Sequence, residues 1–169
     1  MNIRNLGILV SAALFLAASS TAAPNIVVGS ADADILRDQG GVGFVPLFAV
    51  LLGGNEVSNE GEANVGDLDG RGSATVIVNP DSGALCFASL VIGIDTPVAA
   101  HIHQALAGQN GPIVVTLTAP DAGNLGASSG CLTDLEPTLL EAIRRGPEDF
   151  YVNVHTEELP DGALRGQLF

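Results

Sequence analysis

The chain has 169 residues and carries 19 Asp and Glu against 6 Arg and no lysine, for a formal net charge of −13 at pH 7. A surface of that sign repels phosphate backbones and anionic lipid, which argues against nucleic-acid binding and electrostatic membrane docking, and it attracts cations or basic protein surfaces. With 47% hydrophobic residues, the length suits one domain with a real core.

The N-terminus reads as a targeting signal. Arg4 supplies the positive charge, residues 6–18 an apolar run, and Ser20-Thr21-Ala22 the small residues of a cleavage site. Residues 1–22 are therefore expected to be a signal peptide, with retention as an anchor the alternative. The apolar run falls short of the roughly 20 residues of a comfortable bilayer span. The expected product is secreted, periplasmic or on the cell surface, with no membrane span after cleavage. Residues 23–43 lack periodicity and read as a linker or N-terminal arm.

From residue 44 onward, short apolar alternations recur between Gly/Pro turns. Residues 44–52 form the first predicted strand, with Pro46 pointing to an edge or a late start. Residues 53–71 are an acidic loop whose Asp67-Leu68-Asp69-Gly70 resembles a fragment of a calcium loop, without the other ligands. Residues 72–79 and 84–94 flank Pro80-Asp81-Ser82-Gly83 as a β-hairpin. Strands are expected near 99–104 and 112–118, followed by a polar Ala/Gly/Ser stretch over 119–130. Thr133-Asp134-Leu135-Glu136 matches a capping box for a short helix near 134–145, in which Leu135, Leu139, Leu140 and Ile143 recur at helical spacing. Strands over 150–156 and 164–169 close the chain. About seven or eight strands with one helix predict an all-β fold, an antiparallel Greek-key-like sandwich or barrel over residues 44–169.

Cys86 and Cys131 both sit in strand-like surroundings. In an exported chain they favour a structural disulfide over two buried thiols. The histidines carry the chemical signal. His101 and His103 are two apart on one predicted strand, so both rings leave the same face. His155 lies on another predicted strand, where Tyr151 and Asn153 share its face. Three imidazoles converging from two strands suit copper or zinc with an open position, and Glu56 or Glu157 is a candidate further ligand. The alternative is that the rings only pack and hydrogen-bond. If a metal binds, affinity should fall through the ordinary histidine range, at about pH 6 to 7. Asn55-Glu56 and Arg165 are candidates to meet as a structural ion pair. No catalytic constellation stands out: Ser73, Ser82 and Ser89 lack a nucleophile elbow.

Several motifs together resemble the CHRD domain, named from chordin: Asn55-Glu56-Val57, Gly72-Ser73-Ala74, Leu85-Cys86-Phe87, Ala100-His101-Ile102-His103, residues 108–115, residues 151–156 and residues 162–168. The resemblance spans about 44–169 and implies an exported β-sandwich without a firmly assigned activity. The His-x-His strand and Gly-rich turn are also more distantly similar to copper/zinc superoxide dismutase. That likeness would make His101 and His103 copper ligands and His155 a third, but three histidines fall short of the set such enzymes use. The leading expectation is a non-catalytic exported binding module with a metal ion, and an extracytoplasmic protein, as partners. The rivals are a metal-free structural or interaction domain, and a dismutase-like redox enzyme.

Overall fold

The structure, a computed structural model, describes residues 43–169 apart from Asn124. The expected signal peptide and all but the last residue of the expected N-terminal arm lie outside the described residues.

Eight strands form one antiparallel sheet: β1 (Val45–Leu52), β2 (Arg71–Asn79), β3 (Ala84–Ile92), β4 (Pro97–Gln104), β5 (Ile113–Leu117), β6 (Gly126–Leu132), β7 (Phe150–Thr156) and β8 (Leu164–Gln167). Their spatial order is β5-β4-β7-β8-β1-β2-β3-β6, curling into a nearly closed barrel. The seam lies between β5 and β6. There the Ser128 hydroxyl donates to the Thr118 carbonyl at 2.9 Å and contacts Ser89 Oγ at 2.8 Å. The all-β expectation holds.

Alternation makes the barrel. Leu47 and Leu51, Val76 and Val78, Leu85, Ile102, Val152 and Val154 are fully buried at every second position of their strands and meet inside. Each such side chain contributes roughly 1.5–3 kcal/mol on burial. The β2–β3 hairpin closes on the predicted turn, where the Asn79 side chain accepts from Ser82 N–H and Gly83 takes a left-handed φ of 62°. Pro46 lies in the second position of β1, which runs between β8 and β2 and is no edge. Its missing N–H falls away from the Phe48–Phe169 backbone pair and the Leu52–Arg165 partners that join β1 to the C-terminal strand.

Two expectations need correction. The polar stretch contains a strand, β6, whose small residues give no hydrophobic alternation because it lies at the end of the sheet order. Its ladder with β3 and the Cys86–Cys131 disulfide, which joins directly registered partners, hold it in place. The capping box does not form either. The Thr133 hydroxyl bonds the Asp134 carboxylate, and Asp134 turns left-handed at φ 61°. The helix α1 (Pro137–Arg145) starts later, with Glu136 at its N-cap and Pro137 in the first turn, where a missing N–H costs nothing. Leu140 and Ile143 drive it into the core, and Gly146 ends it.

The two halves of the barrel exterior differ. Over β4, β7 and β8 the outward side chains are polar, and the loops over residues 53–70 and 105–112 contact them. Over β1 and β3 they are mostly apolar and exposed, while β2 between them presents Arg71, Ser73, Thr75, Ile77 and Asn79, and β6 presents Ala127, Ser129 and Cys131.

Candidate metal centre

The register of β4 with β7 sets the site. His103 faces Tyr151, His101 faces Asn153, and His155 lies beside Ala99, diagonal to His101. Because Ala100, Ile102, Val152 and Val154 point inward, all three imidazoles project from the opposite, loop-facing surface. One ring nitrogen from each lies within 4.8 Å of the others. His101 Nδ1 is 3.1 Å from His155 Nε2. Two nitrogens on a tetrahedral zinc at about 2.0–2.1 Å are separated by roughly 3.3 Å.

Two rings are oriented from behind by carbonyls. His103 Nδ1 donates to Gly111 O at 2.9 Å, and His155 Nδ1 donates to Pro160 O at 2.9 Å. A carbonyl only accepts, so in both neutral rings the proton is on Nδ1 and Nε2 keeps its lone pair. His155 Nε2 then accepts from His101 Nδ1. His103 Nε2 is buried without a hydrogen-bond partner, which ordinarily costs about 1–3 kcal/mol.

All three histidines are biased toward the neutral form that a metal requires. Burial, with the His155 and His103 charges adding to it, pulls His101 down to about 4. Burial also lowers His103 and His155, against the opposing pull of the Gly111 and Pro160 carbonyls.

Beside the histidines lies a buried polar cluster. Tyr151 stacks on His103 with ring centroids 4.8 Å apart and planes at 8°. The Arg165 guanidinium lies 3.5 Å from the Tyr151 centroid and donates to Asn110 Oδ1 and to the carbonyls of Leu106 and Gln109. Asn110 in turn donates to Val57 O and Ser58 O, tying the two loops together. Glu56 accepts from Asn153 Nδ2 and from Val57 N–H, and burial raises its pKa.

Of the sequence-predicted residues, the structure brings His101, His103 and His155 together and places Tyr151 against His103. Glu56 is occupied by Asn153, and Glu157 is exposed; neither joins the histidine cluster. Asn55 does reach Arg165, donating to its carbonyl at 3.2 Å, but the Arg165 guanidinium is spent on loop carbonyls and makes no direct ion pair with Glu56. The sequence reading missed the orienting carbonyls of Gly111 and Pro160. The Gly111-Pro112 and Pro160-Asp161-Gly162 turns were the available signal, since a turn presents carbonyls sideways to the adjacent strand.

Fold and site together define a small, disulfide-bridged, antiparallel β-barrel domain with three converging imidazoles on its loop-covered side. The chain belongs to the CHRD domain family, whose model matches residues 47–168, a span that includes every strand core and all three histidines. CHRD domains are found in extracellular proteins, where they act as interaction domains. Comparison with curated proteins and with solved structures found no match, so the likeness to superoxide dismutase rests on the His-x-His strand and the Gly-rich turn and has no support from those comparisons. Among the described residues, no helix is long and apolar enough to cross a membrane.

Proposed function

We propose that the chain is an exported, non-catalytic binding module that holds a divalent transition metal on His101, His103 and His155, with copper the first candidate and zinc the second. The observation that carries this reading is the convergence of the three rings around the unpartnered His103 Nε2. The donor set fits. Nε2 of His103 is an unpartnered lone pair, and once the His101 Nδ1 proton moves to Nε2, His155 Nε2 loses its donor and both it and His101 Nδ1 offer lone pairs. An all-imidazole site favours Cu²⁺ over Zn²⁺ by the usual order of divalent affinities. Three protein ligands leave a position for water or for a group from a partner.

A metal-free interaction domain is the second reading, and the His101–His155 hydrogen bond favours it, because the pair satisfies one another without an ion. Calorimetric titration of chelator-stripped protein with Cu²⁺ and Zn²⁺ separates the two. The metal reading expects one site per chain and a loss of at least 100-fold in affinity on His103→Ala. Equal, weak uptake by wild type and variant leaves the metal-free domain.

A further inference from the structure

Among the described residues, the loops contact the polar half of the barrel and none covers the other half. On β1 and β3 the outward side chains Phe48, Val50, Leu52, Leu90 and Ile92 are between 38% and 54% exposed, and Phe169 beside Phe48 is 60% exposed. Register makes them one surface: Val50 pairs with Ser73 and Ser73 with Leu90, while Leu52 pairs with Arg71 and Arg71 with Ile92. No Asp or Glu occurs in β1, β2, β3 or β6, in a chain with 19 of them.

We infer that this face packs against the same face of a second copy of the chain. Area supports it: the six large side chains alone present roughly 500 Å² of apolar surface, and the Ser, Thr and Ala residues between them carry the face toward the ~800 Å² per partner of a standard interface. Shape supports it as well, since a sheet face without loops over it stacks on another at about 10 Å with strands nearly aligned. Charge sets the orientation. Arg71, the one cation on the face, stands at one end of β2, and Asp81 stands in the turn beyond the other end. A two-fold axis lying across the strands reverses one β2 over the other and brings Arg71 of each copy to Asp81 of its mate. Among the described residues the carboxylates lie outside the strands, in loops, short turns and α1, so apart from Asp81 they stand outside the contact.

Sedimentation equilibrium of the purified protein from about 1 to 500 μM tests this. The mass should rise from one chain to two, and association should tighten several-fold from 0.05 to 0.5 M NaCl as the like-charge repulsion is screened. Val50→Glu and Leu90→Glu alter exposed positions, so circular dichroism should stay unchanged while the dimer is lost. Arg71→Asp should weaken it about tenfold. A single-chain mass at every concentration overturns the inference, and so does a dimer indifferent to Val50→Glu and Leu90→Glu.

Discussion

The guanidinium of Arg165 lies 3.5 Å from the ring centroid of Tyr151, and both residues are almost wholly buried on the outside of a β-barrel. Burial there exists because the loops that cover them are fastened by Arg165 itself, through Asn110, Leu106 and Gln109. The same ring supports His103, so loop closure and imidazole position share one residue.

Replacing Arg165 should therefore cost stability and site order together. Arg165→Ala strands the carbonyls of Leu106 and Gln109 and leaves the buried Glu56 without its nearest positive charge, and should destabilise the fold by about 3–5 kcal/mol. Arg165→Lys keeps the charge but loses the planar fork and the stacking, and should cost about half as much. Denaturant melts measure both. A loss below about 0.5 kcal/mol for Arg165→Ala would mean that the loops are held by something else.

The lowered histidine pKa values change the expected pH response. From sequence, metal affinity was expected to fall across about pH 6 to 7. With His101 held at about 4 and the other two also lowered, the site should keep its metal to more acidic pH than the ordinary histidine range. The metal-free fold follows the same sign. A histidine whose folded pKa lies below its unfolded value binds more protons when unfolded, so stability falls as pH drops from about 6.5 toward the folded value. Glu56, raised by burial, runs oppositely: its folded form binds the extra proton, so its contribution is full below the unfolded carboxylate value and is lost as pH rises from there through the higher folded value. His101→Asn should flatten the acid loss in thermal melts, and proton-detected titration of the three rings should show midpoints below the usual 6.5. Midpoints at or above that value would contradict the buried, neutral cluster.

The barrel was legible in the sequence wherever a strand buries one face and leaves the other accessible, as in β1, β2 and β3. It was not legible in β6, because Gly126-Ala127-Ser128-Ser129-Gly130 is positioned by its ladder with β3 and by a disulfide rather than by apolar alternation. The capping-box pattern failed for a local reason: the Thr133 hydroxyl has a nearer partner in Asp134, and Pro137 already suits the first helical turn. At the site, strand periodicity placed the three histidines on the right faces. It could not say that β4 and β7 are neighbours, because that register is a long-range pairing. Nor could it show that Glu56, in the loop that follows β1, would spend its carboxylate on Asn153 of β7.

The disulfide should be a stability element rather than a switch of the site. It joins β3 to β6, on strands that contribute no histidine, and its Cys131 end is exposed. Closing a separation of 45 residues stabilises the fold by up to about 4 kcal/mol in the chain-entropy estimate. Dithiothreitol should reduce it without denaturant, and hydrogen exchange should quicken first in β6. After reduction, alkylation of the two freed thiols and removal of the reagents, the affinity for Cu²⁺ should stay within about twofold, the alkylation preventing the thiols from binding or reducing the ion. A tenfold loss would show that the two ends of the sheet are coupled.

Gly111 is the position where backbone geometry and the proposed metal site meet most directly. A Cβ built there would come within 1.9 Å of the Gln104 carbonyl oxygen, a backbone atom at the end of β4 that cannot swing aside. Gly111→Ala must therefore move the 105–112 loop, and with it the Gly111 carbonyl that orients His103 Nδ1. Removing such an outer partner of a ligand commonly costs 10–100-fold in metal affinity, and Gly111→Ala should do the same while lowering the melting temperature of the metal-free protein. Asn110→Ala provides the comparison: it also frees the loop, by cutting the bonds to Val57, Ser58 and Arg165, but leaves residue 111 able to take its native backbone. If the carbonyl matters in its own right, Gly111→Ala should weaken Cu²⁺ binding more than Asn110→Ala at equal loss of stability. Equal losses of affinity would reduce the effect to loop mobility.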